Sequence, residues 1–122
     1  MASRTGHCNC GKIVVSLNAS PSEVMVCHCL NCRRAGGPCS INYICDEKGV
    51  SIQDANGCLK DFKDHDTQSG NVITRSFCQG CGSPVCTCSP ALPGKLVVKA
   101  SLFTDIATAR EEVFEERKIS WV

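Results

Sequence analysis

The stretch Val72-Ile73-Thr74-Arg75-Ser76-Phe77-Cys78-Gln79-Gly80-Cys81-Gly82-Ser83-Pro84-Val85 reads as a strand, a cysteine-bearing turn and a second strand. Glycine directly after the second cysteine lets the backbone turn tightly round an ion. The turn can aim N–H groups at thiolate sulfurs. The same ending occurs near the N-terminus, in Cys8-Asn9-Cys10-Gly11. Together the two knuckles offer Cys8, Cys10, Cys78 and Cys81, a set that closes a tetrahedral zinc site. Such a site would staple the N-terminal strands to the strand pair around Val72 and Val85. Structural zinc contributes on the order of 10 kcal/mol to the folding of units like this. The rival pairing, a zinc ribbon of Cys29, Cys32, Cys78 and Cys81, would strand Cys8 and Cys10.

A third cluster, Cys27-His28-Cys29-Leu30-Asn31-Cys32-Arg33-Arg34, differs. It offers three thiols and no fourth cysteine beside them. Three protein ligands plus water or substrate is the pattern of a catalytic zinc. A structural site completed by His28, His65 or a spare cysteine is the other reading, and spacing leaves both open. Strand-like alternation puts Cys27 and Cys29 on one side and His28 on the other. His28 is therefore expected to pack or hydrogen-bond, as is His7 beside Cys8. Arg33 and Arg34 can offset thiolate charge or hold an anionic substrate. Arg75 is either an ion-pair residue or a substrate anchor. Cys39, Cys45, Cys58, Cys86 and Cys88 read as small core residues.

The chain has 122 residues and a formal net charge of +1. That length fits one domain over residues 1–122, with a core small enough for a metal staple to matter. No basic run argues for nucleic acid, and no apolar run approaches the roughly 20 residues of a membrane span. The first residues lack the apolar core of a signal peptide. The expectation is a protein that is not secreted, in the cytosol or nucleus, where thiols stay reduced. Seven of the 12 cysteines lie in the three clusters, so metal binding is favoured over disulfides.

Short β-branched or alternating runs at 13–17, 24–27, 40–45, 50–53, 59–62, 72–77, 85–88 and 96–102 predict a mainly-β fold. The 40–45 run places Cys39, Ile41, Tyr43 and Cys45 on one face. Ser20-Pro21-Ser22-Glu23 allows about one turn of helix. Residues 105–118 fit either a helix or a loop followed by a strand.

Taken in order, Gly6 to Gly11, Cys27 to Arg34 and Arg75 to Pro84 resemble the glutathione-dependent formaldehyde-activating enzyme family. That family's domain is shared with centromere protein V. The resemblance runs over nearly the whole chain. It implies an Mss4-like fold of short antiparallel β-sheets stapled by zinc, with two zinc ions per chain. Cys8, Cys10, Cys78 and Cys81 would take the structural ion. Cys27, Cys29 and Cys32 would take a second, open and catalytic one. The implied activity is that of a carbon–sulfur lyase similar to S-(hydroxymethyl)glutathione synthase. It would join or split an adduct of an aldehyde with glutathione or another small thiol. Arg33, Arg34 and Arg75 would be candidates to hold the carboxylates of glutathione. The resemblance also implies loop then strand for 105–118 and closing strands through 96–101 and 118–122. A non-catalytic zinc module that binds a protein partner is the alternative expectation, and a thiol redox sensor a weaker one.

Overall fold

Alternation along short strands, broken by glycine turns, gives two sheets in the computed structural model, which describes residues 2–122. Strands β1 (Thr5–His7), β2 (Val14–Leu17) and β5 (Val50–Gln53) form a three-stranded sheet in the order β1-β2-β5. The larger sheet holds β3 (Glu23–Cys27), β4 (Ser40–Asp46), β6 (Leu59–Asp64), β7 (Ile73–Cys78), β8 (Pro84–Cys88), β9 (Lys95–Lys99) and β10 (Ala109–Val113). Its order is β10-β3-β4-β9-β8-β7-β6. The mainly-β expectation holds.

Period-two alternation gives the large sheet two different faces. Val24 and Val26 of β3, Tyr43 of β4, Cys86 of β8 and Val98 of β9 point to one side. There they meet Val15 and Leu17 of the small sheet, and Ile13 just before it, in a single apolar core. Burying each such side chain contributes about 1.5–3 kcal/mol. Tyr43 stands edge-on to Phe103 with ring centroids 5.6 Å apart, and its hydroxyl accepts the Ala107 N–H at 3.0 Å. Cys39, Ile41 and Cys45 pack on the same core, as the alternation of 40–45 requires. The opposite face carries Met25, Cys27, Ser40, Asn42, Val97, Lys99, Thr87, Arg75, Ile73 and Val113, a polar and apolar mixture that lines a cavity.

Several segments depart from expectation. The turn expected to bring Cys32 round is a short helix, α1 (Leu30–Ala35), capped by the Cys29 thiol, which accepts the Cys32 N–H at 3.4 Å. No helix forms at residues 20–23, because Glu23 already pairs with Ala109. The expected loop-then-strand at 105–118 is present, but β10 runs parallel to β3, so the sheet is mixed rather than wholly antiparallel. Phe114, at φ 55° and ψ 41°, then turns the chain into a short helical turn at Glu115–Arg117. No strand follows over 118–122. Strand β9 ends at Lys99 instead of continuing to residue 102. Cys88 is exposed, not core.

Candidate functional site

The two glycine knuckles fold alike. Gly11 and Gly82 both sit in the left-handed region, at φ 77° and φ 78°, where other residues are strained. Each donates its N–H back across the turn, Gly11 to the Cys8 carbonyl at 3.0 Å and Gly82 to the Cys78 carbonyl at 2.7 Å. The knuckles meet where β1–β2 faces β7–β8. The sulfurs of Cys8, Cys10, Cys78 and Cys81 all lie within 4.8 Å of one another. Cys8 and Cys10 are 3.6 Å apart, and Cys10 and Cys78 are 3.7 Å apart. A tetrahedron of sulfurs about 2.3 Å from zinc has edges of about 3.8 Å, so the donor set fits such an ion. Backbone N–H groups already point inward, that of Ile13 reaching the Cys8 sulfur at 3.4 Å. The Ser83 hydroxyl, 3.2 Å from the Cys81 sulfur, holds that thiol down at about 5. Burial pushes Cys78 up to about 12, with Cys10 and Cys81 adding to the rise. Neighbouring thiols cannot all ionise together without a cation between them.

The second cluster is built differently. Strand β3 ends on Cys27, Cys29 caps α1, and Cys32 lies in the first turn of that helix. All three are buried and their sulfurs lie within 4.8 Å of one another. Among the described residues no His, Cys, Asp or Glu completes the set. Hydrogen bonds from Cys27 and Cys29 hold Cys32 down to about 2; the Ser40 hydroxyl and the charge of Lys99 assist against burial. The same contacts with Cys29 and Cys32, with burial adding, push Cys27 up. A divalent cation with three thiolates therefore fits here with a coordination position to spare.

His28 is fully buried, turned away from the sulfurs, with its Nε2 2.8 Å from Glu112 Oε1. It anchors β10 beside the cluster instead of joining it. His7 likewise pairs with backbone, its Nδ1 2.7 Å from the Cys8 carbonyl.

The three-cysteine cluster forms part of the wall of a cavity of about 180 Å3. Arg75 lies on the same wall, and its Nε donates to Asp64 Oδ2 at 2.8 Å. Asp64 Oδ2 also accepts from Asn31 Nδ2 at 3.0 Å, which ties Arg75 to α1 between two of the cysteines. Arg33 and Arg34 lie elsewhere, lining a separate groove with Ile119 and Trp121. Of the three arginines named from sequence, the structure brings only Arg75 to the cavity.

Sequence reading passed over Lys99, Asn42, Ser40 and Asp64. Lys99 is 6 % exposed and donates from Nζ to Asn42 Oδ1 at 3.0 Å. Burial draws its basicity down, opposed by the charge of the cysteine cluster. Asn42 Nδ2 donates in turn to Ser40 Oγ at 2.9 Å. The available signal was Lys99 itself, a lone cation inside the apolar run Leu96-Val97-Val98-Lys99-Ala100.

No curated protein matches the chain. A crystal structure of a Rhodobacter sphaeroides protein superposes with a TM-score of 0.66 at 18 % identity, covering 87 % of this chain and 97 % of that one. At that identity the likeness speaks for the fold. No helix among the described residues is long and apolar enough to cross a membrane. The family model described as "Glutathione-dependent formaldehyde-activating enzyme" matches residues 3–120, a span that includes both cysteine clusters and the cavity between β3, β9 and α1. The chain belongs to the glutathione-dependent formaldehyde-activating enzyme family.

Proposed function

We propose that this protein is a zinc-dependent carbon–sulfur lyase that joins or splits the adduct of an aldehyde with glutathione or a related small thiol. The observation that carries this reading is the three-thiol cluster opening onto a cavity, with no fourth protein ligand among the described residues. Cys27, Cys29 and Cys32 would hold the reactive zinc; Cys8, Cys10, Cys78 and Cys81 would hold a structural one. Zinc at the open cluster would supply Lewis acidity and favour the thiolate form of a substrate thiol.

The chain's own residues bind and orient. Met25, Val113 and Phe114 pack against the cluster and exclude water from one side. Arg75, fixed by Asp64, presents charge to a substrate carboxylate. Thr67, Gln68 and Ser69 give the cavity a polar edge. A space of about 180 Å3 takes the sulfur end and a small aldehyde, whereas drug-sized ligands occupy about 300 Å3 or more. The rest of a tripeptide must therefore lie along the mouth. Holding thiol and aldehyde together in that space lowers the entropic part of the barrier.

The test is exchange between formaldehyde, glutathione and their adduct, followed by NMR against the uncatalysed background. Cobalt replacing the native metal gives a second readout through its sulfur-dependent absorption. Exchange above background, and a cobalt spectrum altered by glutathione, are expected. Cys29→Ser should abolish both while leaving the fold intact. Background exchange together with an unaltered spectrum would refute the lyase reading.

A further inference from the structure

We infer that Lys99 is a catalytic residue of this cavity, its ammonium holding the aldehyde oxygen while the carbon–sulfur bond forms. The inference rests on the lyase reading above and assigns a role to the most deeply buried lysine or arginine among the described residues. Lys99 ends β9 directly opposite Asn42 in the β4–β9 register. Its Nζ has three N–H groups, and the Asn42 carbonyl oxygen accepts one, at 3.0 Å. Among the described residues no carboxylate lies within ion-pairing distance of it. Arg75, by contrast, is already balanced by Asp64.

Asn42 cannot swing away, because its Nδ2 is fixed to Ser40 Oγ at 2.9 Å and to the Met25 carbonyl at 3.2 Å. Ser40 in turn stands directly opposite Cys27 in the β3–β4 register. One hydrogen-bonded chain of side chains thus runs from Lys99 to Ser40 beside the cysteine cluster, and all line the same cavity.

Counterbalancing the thiolates explains why a cation is tolerated here. It does not explain why Lys99 lines the reaction space with a single side-chain partner. The reaction supplies the reason. In R–SH + R′CHO → R–S–CH(OH)–R′, the sulfur lone pair forms the C–S bond and the C=O π pair moves to oxygen. The thiol proton leaves to water and the oxygen takes one back from water; nothing is oxidised or reduced. Negative charge migrates from sulfur to oxygen. A fixed ammonium beside that oxygen stabilises the charge where it develops, and Lys99 need not change its own protonation.

The test uses the full-length, metal-loaded protein and the variants Lys99→Met and Lys99→Arg. Removing one donor of this kind lowers kcat by about 10²- to 10³-fold. Lys99→Met should show that loss while keeping its metal content and its affinity for glutathione, read from the cobalt spectrum. Lys99→Arg should recover part of the rate. A binding readout needs no variant. S-(carboxymethyl)glutathione places an anionic oxygen close to the reacting position, and S-(carbamoylmethyl)glutathione is its neutral counterpart. The wild-type protein should bind the anionic probe at least about tenfold more tightly, a factor set by one charge-assisted hydrogen bond, and Lys99→Met should abolish the difference. Full kcat in Lys99→Met, or a rate that falls only in step with lost metal, would overturn the assignment. So would equal wild-type affinity for the two probes, even if Lys99→Met failed to fold. Wild-type exchange at background with an unaltered cobalt spectrum removes the lyase reading and this role together. Wild-type activity with an unaffected Lys99→Met removes only the role.

Discussion

Replacing Cys8 with serine separates what the first cluster contributes from what ordinary packing contributes. Cys8 is 1 % exposed, belongs to the apolar core and takes the Ile13 N–H on its sulfur. Serine occupies nearly the same space, so the cavity left behind is negligible. Burying its hydroxyl with imperfect partners costs about 1–3 kcal/mol. Losing a structural metal costs far more, about 10–16 kcal/mol in small zinc units. The whole stability of a domain this size is about 5–15 kcal/mol. The two accounts therefore predict different outcomes. If the four sulfurs hold a metal that fastens the small sheet to β7–β8, Cys8→Ser loses one metal per chain and its cooperative unfolding transition. Cys29→Ser, at the other cluster, should lose the other metal and keep the transition. Metal analysis and urea unfolding followed by circular dichroism read both. A folded Cys8→Ser whose stability falls by only about 1–3 kcal/mol would refute the reasoning, even with the metal gone.

Other outcomes follow from the cavity wall and the sheet contacts. Arg75→Met should weaken glutathione binding by about tenfold or more, through loss of a charge-assisted hydrogen bond, whereas Arg34→Met, in a separate groove, should leave it unchanged; calorimetry distinguishes them. The Asp64 carboxyl sits below its ordinary range, because the hydrogen bond and charge of Arg75 outweigh the rise from burial. A depressed folded value means its stabilisation is complete above about pH 4 and is lost as the pH falls through the folded value. Melting temperatures taken down to about pH 2 should therefore fall less steeply for Asp64→Asn than for the wild type. Gly6→Ala should cost about 1–3 kcal/mol by overpacking, since its Cβ would lie 2.6 Å from the Leu102 carbonyl oxygen, a backbone atom that cannot turn aside; thermal melts with unchanged metal content would show it.

What the sequence made legible was local. Period-two alternation at 40–45 put Cys39, Ile41, Tyr43 and Cys45 on the core, and the Cys-Gly endings identified two knuckles that the fold brings together. Both signals lie within a few residues of the atoms they place. The short helix after Cys29 was hidden because a cysteine cap is an uncommon start signal. The strand-like reading of Cys27 and Cys29 holds, since Cys27 ends β3 and Cys29 is extended; only the turn to Cys32 is helical. The parallel pairing of β10 with β3 was hidden for another reason. It joins residues more than 80 positions apart, and nothing in either segment names its partner. Arg33 and Arg34 attracted attention by adjacency to the cluster, but α1 carries them round to another groove. Lys99 and Asp64 are far from the cluster in sequence and reach it only through the register of the sheet.

That register also explains why two cysteine clusters in one small protein can have different roles. Cys8 and Cys78 lie in the layer between the sheets, where apolar side chains from both close round them. A metal held by all four sulfurs there would have no coordination position left for a substrate. Cys27, Cys29 and Cys32 lie beyond the other face of the large sheet, grouped with Met25, Val113 and Phe114 apart from the main core. On that face residues of six strands, β10, β3, β4, β9, β8 and β7, arrive at one cavity. A one-residue slip in β9 would send Lys99 into the core and Val98 to the cysteines. The packing of Val98 with Tyr43 and Cys86 on the core side therefore fixes the position of Lys99 on the other. The residues that stabilise the fold and those proposed to carry the chemistry are neighbours in sequence on opposite faces of the same strands. A substitution such as Val98→Ala should accordingly disturb the site as well as the core. If kcat fell in a Val98→Ala protein that still bound both metals and glutathione, the coupling across the sheet would be measured directly; unchanged kcat in that folded variant would show that the register holds without it.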